Sequence, residues 1–146
     1  MSALEITLER LAKEEGRKRF AYNDATGKTV TCRPGGNLSI GVGVNLETGL
    51  DDEEIDFIER HRLGLVLAKL ATAWWWAKLD DARASVVLDL GYNVGVESLM
   101  HFPKMLAAIG RQDWQAAHDE LLDSDAARQL PGRYQVLAQI LLTGNH

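Results

Sequence analysis

The chain has 146 residues and a mass of 16.2 kDa, which predicts a single domain over residues 1–146 or two small lobes that share one core. Its 46% hydrophobic and 25% charged residues can build an ordinary core, so a disordered or collagen-like chain is excluded. Sixteen basic and 21 acidic residues give a net charge of −5, so we expect no nucleic acid partner.

An amphipathic helix is predicted over residues 2–19. Ser2 and Glu5 have the spacing of a capping box, and leucines recur three and four residues apart after it. Gly16 marks a frayed helix end. This first segment has no basic region followed by an apolar run, so no secretory signal is visible and synthesis in a cytoplasm is expected.

Residues 20–44 have a different pattern, with three short β-prone runs at 20–22, 28–32 and 38–42. The two segments between the runs are rich in turn-forming residues. This alternation predicts a small three-stranded antiparallel sheet.

After Gly49 the β-type pattern ends and helix signals follow one another. Helix starts are predicted at the acidic run 51–54, at Asp80-Asp81, at Pro103, at Asp113 and at Pro131, with the last helix ending before Gly144. The predicted architecture is therefore α+β: a helix, a small sheet and a helical body, with a groove between the lobes.

Several kinds of site are not expected from the motifs. The four histidines do not form an HExxH motif or a Cys/His cluster, so no metal site is predicted. Gly41-Val42-Gly43 lacks the third glycine of a dinucleotide-binding loop, and no cofactor is predicted.

Glu15 and Asp24 are candidates for a pair of reacting carboxylates. Glu15 lies at the predicted end of the first helix, where the helix dipole disfavours a negative charge. Asp24 follows nine residues later in a turn, so the two carboxyl groups could face each other across a cleft. The alternative is that Glu15 is an ordinary surface charge and Asp24 an ordinary turn former.

An ordered set of segments resembles the phage lysozymes, the family that contains the endolysins of T-even phages. The segments are Glu14-Glu15-Gly16 with Phe20, Tyr22, Asp24 and Gly27, then residues 38–43, 90–95, 102–106, 113–117, 128–133 and 143–144. They are collinear with the family and extend over nearly the whole chain. The resemblance implies a lysozyme-like fold, with a three-stranded sheet lobe at about 20–45 and a helical lobe at about 1–19 and 50–146. A long helix, here Asp52 to Leu70, would join the two lobes.

The resemblance also implies a glycoside hydrolase, a muramidase that cleaves the β-1,4 bond between N-acetylmuramic acid and N-acetylglucosamine in peptidoglycan. It gives Glu15 the role of general acid and Asp24 that of second carboxylate. Ser39 stands where the family usually has threonine, and would orient the attacking water if the reaction inverts the anomeric configuration. Arg133 matches an arginine that pairs with the catalytic glutamate.

Substrate-binding positions are predicted at Tyr22, Tyr92, Asn93 and Gln129. For Asn93 the alternative is a role in ending its helix. The tryptophans at 74–76 are expected to pack between the lobes in part and to be exposed in part, because consecutive helical residues point in different directions. The 14 residues between Asp24 and Ser39, where the family has about five, predict a longer hairpin over 29–36.

We therefore expect a monomeric endolysin, held in the host cytoplasm until lysis and then acting on the cell wall. A holin or a similar membrane lesion would give it access to the peptidoglycan. Two alternatives remain open. One is a lytic transglycosylase, which would leave a 1,6-anhydro product, and the other is a non-catalytic wall-binding or virion component.

Overall fold

The computed structural model describes residues 1–14, 16–23, 25–30 and 38–146, and these ranges are mainly helical. The elements of these ranges are α1 (Ala3–Glu14), β1 (Ser39–Ile40), β2 (Val44–Asn45), α2 (Asp52–Leu70), α3 (Asp81–Asn93), α4 (Val96–Leu99), α5 (Pro103–Gly110), α6 (Trp114–Leu122), α7 (Asp125–Gln129) and α8 (Pro131–Thr143). The fold is α+β in the broad sense that a small sheet accompanies the helices.

The predicted lysozyme-like lobe with a three-stranded sheet is wrong: the sheet of the described residues has two strands. Ser39 pairs with Asn45 and Ile40 pairs with Val44, in antiparallel register. The third β-prone run therefore folds back on the residues that follow it, around a turn at 41–43. Glycines at both ends of this turn have φ values of 62° and 93°, which other residues rarely adopt.

The first two β-prone runs meet at one antiparallel bridge, between Tyr22 and Thr29. The Asn23 amide donates to the Lys28 carbonyl at 2.8 Å, so this part of the chain is a tight reversal. The hairpin predicted over 29–36 has only its first two residues within the described ranges.

Helix α1 is shorter than the predicted 2–19. Its start is as predicted, because the Ser2 amide donates to the Glu5 carboxylate at 2.8 Å and the Glu5 amide donates to the Ser2 hydroxyl at 3.4 Å. The described helix ends at Glu14, and Gly16 has a φ of 70°, which is incompatible with a continuing right-handed helix. The segment after it turns to the start of α2, where the Leu50 amide donates to the Arg19 carbonyl at 2.7 Å.

The other predicted helix starts are confirmed. Asp51, Asp80 and Asp113 each accept a hydrogen bond from a backbone amide in the first turn of α2, α3 and α6. Prolines begin α5 and α8, and Gly144 ends α8 in the left-handed conformation. The long helix from Asp52 to Leu70 is also confirmed. The short helices α4 and α7 were not predicted.

Helix α3 is the centre of the fold. Nine of its 13 residues are buried, and it contacts α1, α2, α4 and α8. One hydrophobic core takes residues from all eight helices. Trp75 belongs to this core whereas Trp74 is exposed, which confirms that the tryptophans divide between packing and exposure. None of the helices in the described ranges is long and apolar enough to cross a lipid bilayer.

Candidate functional site

A groove of about 910 Å³ lies beside the carboxyl end of α1. Its walls come from three places: the ends of α1 and α3, the first turns of α8, and the segment that follows α1. The lining residues are Glu14, Tyr22, Tyr92, Asn93, Leu130, Gly132, Arg133 and Val136. The structure thus brings together four of the residues that the sequence analysis selected, Tyr22, Tyr92, Asn93 and Arg133.

The groove exists because helices α1, α3 and α8 meet with their ends at one place. Both α1 and α8 pack against α3. Helix α1 is described to Glu14, α3 ends at Asn93 and α8 begins at Pro131, so polar side chains at these ends face a common space. Concave sites with a few convergent polar groups are typical of ligand-binding sites.

The guanidinium of Arg133 is held by side-chain acceptors on two other helices. Its Nε lies 3.0 Å from Glu14 Oε2, and its Nη2 donates to Asp89 Oδ1 at 2.8 Å. With its amide oxygen turned toward Arg133, Asn93 accepts from Nη1 at 2.9 Å and from Nη2 at 3.1 Å. The Arg133 side chain is only 13% exposed, so it forms a fixed wall of the groove rather than a mobile surface cation.

A second arginine, Arg10 of α1, contacts the carboxylate of Asp89. Arg10 Nε lies 3.3 Å from Asp89 Oδ2, and Arg10 Nη2 donates to the Ser85 hydroxyl at 2.6 Å. Burial lowers the pKa of Arg10 and nearby Arg133 lowers it further, whereas the charges of Asp89 and Glu14 raise it. Four charged groups, two of each sign, therefore lie together: Glu14 and Arg133 in the wall of the groove, and Arg10 and Asp89 behind it.

The sequence analysis missed Arg10 and Asp89 and gave Glu14 no role in the site. Two signals were available in the sequence. Asp89 interrupts an apolar stretch of α3, and a charge there needs a partner. Arg10 and Glu14 are four residues apart on α1, so they lie on one face of the helix.

The concave surface continues beyond the groove past its two tyrosines. Tyr22 and Tyr92 also line a cavity of about 330 Å³ against α2. Tyr92 borders a third cavity of about 740 Å³, which includes Arg62 and Lys69 of α2. Aromatic faces with a hydroxyl at one end suit ligands that are apolar on one side and polar at their edges, such as pyranose rings.

Four predicted site residues remain to be placed, and the described lining of the groove does not include Ser39 or Gln129. Glu15 and Asp24 lie outside the described residues. Ser39 is exposed on β1. Gln129, the last residue of α7, lines a separate cavity of about 570 Å³ together with Phe102 and Lys104. Across the described ranges, histidine, cysteine, aspartate and glutamate side chains form no cluster of three that could hold a metal ion.

Comparison with known proteins links the chain to a bacteriophage protein. No protein-family profile matches it. It is similar to the pre-baseplate central spike protein Gp5 of Enterobacteria phage T4, with 26% identity over 119 residues. The match covers 82% of this chain and 19% of Gp5, so the chain spans about a fifth of the length of that relative.

Proposed function

We propose that the chain is a phage muramidase that hydrolyses the β-1,4 bond between N-acetylmuramic acid and N-acetylglucosamine in peptidoglycan. The observation that supports this most is the groove at the end of α1, where Tyr22, Asn93 and Arg133 converge with Glu14. Glu15, the proposed acid, is the next residue in the sequence after Glu14. The resemblance to phage lysozymes and the similarity to a T4 protein agree in pointing to a phage protein.

In this proposal the reaction uses two carboxyl groups in different protonation states. Glu15 donates its proton to the glycosidic oxygen as the bond to the anomeric carbon breaks. Asp24 is ionised, and it stabilises the positive charge of the oxocarbenium-like transition state or removes a proton from the attacking water. Ser39 orients that water in the inverting form of the reaction.

The paired charges in and behind the groove wall suit a site that needs a protonated acid. An unopposed guanidinium favours the ionised form of a neighbouring carboxyl group. Here the carboxylates of Glu14 and Asp89 oppose the charges of Arg10 and Arg133, so these four groups add no net charge to the site. Arg133 can therefore donate hydrogen bonds at the groove wall without an excess of positive charge.

The two tyrosines and Asn93 are proposed to bind the sugar chain. Tyr22 and Tyr92 lie where the groove meets the cavity against α2, so a polymer longer than two sugars has a continuous concave surface to follow. The Asn93 amide can offer an N–H group to a sugar while its oxygen accepts from Arg133. Gln129, in its separate cavity, is proposed to contact a more distant part of the substrate.

Digestion of purified peptidoglycan tests the proposal. The wild-type chain should release muropeptides with new reducing ends, and Glu15→Gln should lower kcat at least about 100-fold, because it removes the proton donor. Glu9→Gln is the matched control, since Glu9 is an exposed glutamate of α1 outside the groove lining, and it should keep full activity. No release of muropeptides by the wild-type chain would contradict hydrolysis, and 1,6-anhydro ends would identify a lytic transglycosylase.

A second candidate is a component of the phage particle that acts on the wall, with or without catalysis. The similarity to Gp5 favours it, because that protein is named as a central spike. Mass spectrometry of purified particles would detect peptides of this chain in that case. A free endolysin, which would need a holin to reach the wall, should instead be found in infected cells and not in the particles. In a non-catalytic wall-binding protein, Glu15→Gln should leave binding to peptidoglycan sacculi unchanged.

A further inference from the structure

We infer that Asp89 is a positioning residue, which fixes the Arg133 guanidinium at the wall of the groove. Asp89 does not line the groove, and its side chain is fully buried in the central helix α3. It acts through Arg133, with which its Oδ1 forms a charge-assisted hydrogen bond of 2.8 Å. The effect on catalysis rests on the proposed muramidase function, whereas the effect on Arg133 does not.

The position of Asp89 distinguishes it from the other acceptors of Arg133. Glu14 Oε2 and the Asn93 amide oxygen lie at helix ends that border the groove, and the Glu14 side chain is 24% exposed. Asp89 lies one helical turn before Asn93, inside the core, where no competing water is expected. Its bond is therefore the one that holds the guanidinium from inside the core.

Asp89 also lies between two cations. Arg10 from α1 and Arg133 from α8 both contact its carboxylate, one at each oxygen. Without the negative charge the two guanidinium groups would repel each other in a buried region of low dielectric. The carboxylate thus fixes α1, α3 and α8 relative to one another at the place where their ends form the groove.

The consequence for the proposed reaction is a fixed hydrogen-bond donor at the groove wall. An arginine side chain has several rotatable bonds, and the contacts with Glu14 and Asn93 lie at helix ends that border the groove, whereas the bond to Asp89 holds Arg133 from inside the core. A displacement of about 1 Å at a reacting centre can lower kcat about 100-fold. We therefore expect loss of Asp89 to affect kcat more than KM.

The test uses a double variant that removes the Asp89 contact without leaving one charge of the pair unopposed. In Arg10→Met/Asp89→Leu, apolar side chains of similar size replace the ion pair, and such replacements are often neutral or stabilising. Arg133 then keeps its contacts with Glu14 and Asn93 but loses its hydrogen bond to Asp89. Asp119→Asn, a change at an exposed aspartate of α6, is the control for the removal of a carboxylate.

Two measurements are made on each variant that folds. The first is kcat and KM on soluble peptidoglycan fragments: the double variant should lose about 10- to 100-fold in kcat with KM within about threefold, and the control should not change. The second is the nitrogen–proton NMR spectrum of the arginine side chains. Arg133 should show separate Nη1 and Nη2 signals in the wild-type chain, because its guanidinium cannot rotate, and merged signals in the double variant.

A double variant that keeps the separate Arg133 signals and wild-type kcat would overturn the inference. If the wild-type chain does not hydrolyse peptidoglycan, the proposed function fails, and the NMR spectrum still decides whether Asp89 fixes Arg133. If the double variant does not fold, Asp89→Asn replaces it. Its neutral amide gives a weaker bond, so faster rotation of Arg133 and a several-fold loss in kcat are expected, and an unchanged spectrum would contradict the inference.

Discussion

At the scale of the residue, two glutamates have pKa values shifted in opposite directions. Burial, the largest cause, raises the pKa of Glu59 above its ordinary 4.5; nearby Arg17 opposes the shift and Asp56 adds to it. Hydrogen bonds from Ser2 lower the pKa of Glu5 at the start of α1. The fold therefore disfavours the ionised form of Glu59 and favours that of Glu5.

This difference predicts opposite effects of the same substitution. Because the folded-state pKa of Glu59 is raised, its contribution to stability is present below pH 4.5 and is lost as the pH rises through the folded-state value. Glu59→Gln should accordingly raise Tm at pH 7 relative to the wild-type chain, with a smaller gain at pH 3.5. Glu5→Gln should lower Tm at pH 7 and have less effect at low pH. Thermal unfolding followed by circular dichroism at both pH values checks this, and equal effects of the two substitutions would contradict it.

At the scale of the element, the contact between α2 and α3 depends on a glycine. A Cβ atom at Gly91 of α3 would lie 2.9 Å from a methyl group of Val66 and 3.1 Å from one of Leu70. These distances are shorter than an ordinary van der Waals contact, so the two helices approach each other through the missing side chain. In α2, by contrast, a Cβ atom at Gly64 would meet nothing within 4 Å.

The two glycines make a matched pair for substitution by alanine. Gly64→Ala should stabilise the chain by about 0.5–1 kcal/mol, because alanine favours a helix over glycine. Gly91→Ala has the same helix benefit but crowds the core, which costs about 1–3 kcal/mol, so a net destabilisation of about 1 kcal/mol is expected. Urea unfolding measures both free energies. A Gly91→Ala chain as stable as the Gly64→Ala chain would show that α2 can move away from α3 without a loss of stability.

At the scale of the whole molecule, the shared core predicts cooperative unfolding. The eight α-helices of the described ranges all contribute buried residues to one hydrophobic core, so they unfold together rather than as separate cores. Circular dichroism follows the loss of helix, and fluorescence follows the exposure of the buried Trp75. The two signals should have the same urea midpoint. Two separate midpoints would contradict the prediction of a single domain over residues 1–146.

The sequence by itself determined where most helices begin. Caps such as Ser2 with Glu5 and Asp113 at α6 are local, since the side chain and the amide that it binds are three residues apart. The long helix from Asp52 to Leu70 follows from the same kind of signal at Asp51. These features are decided within one helical turn, so they can be identified without knowing the rest of the fold.

The tertiary structure alone decided the strand pairing and the inner part of the site. Each β-prone run contains a residue in β pairing, but β2 lies beyond the third run, because strand partners depend on turn geometry and on the rest of the chain, and the three-stranded sheet was wrong. Arg10 and Asp89 are far apart in the sequence and come together only because α1 packs on α3. Tyr22, Tyr92, Asn93 and Arg133 were each selected from the sequence as candidate site residues. Their common groove required the packing of three helices, because a hydrogen bond between distant residues leaves no periodic pattern in the sequence.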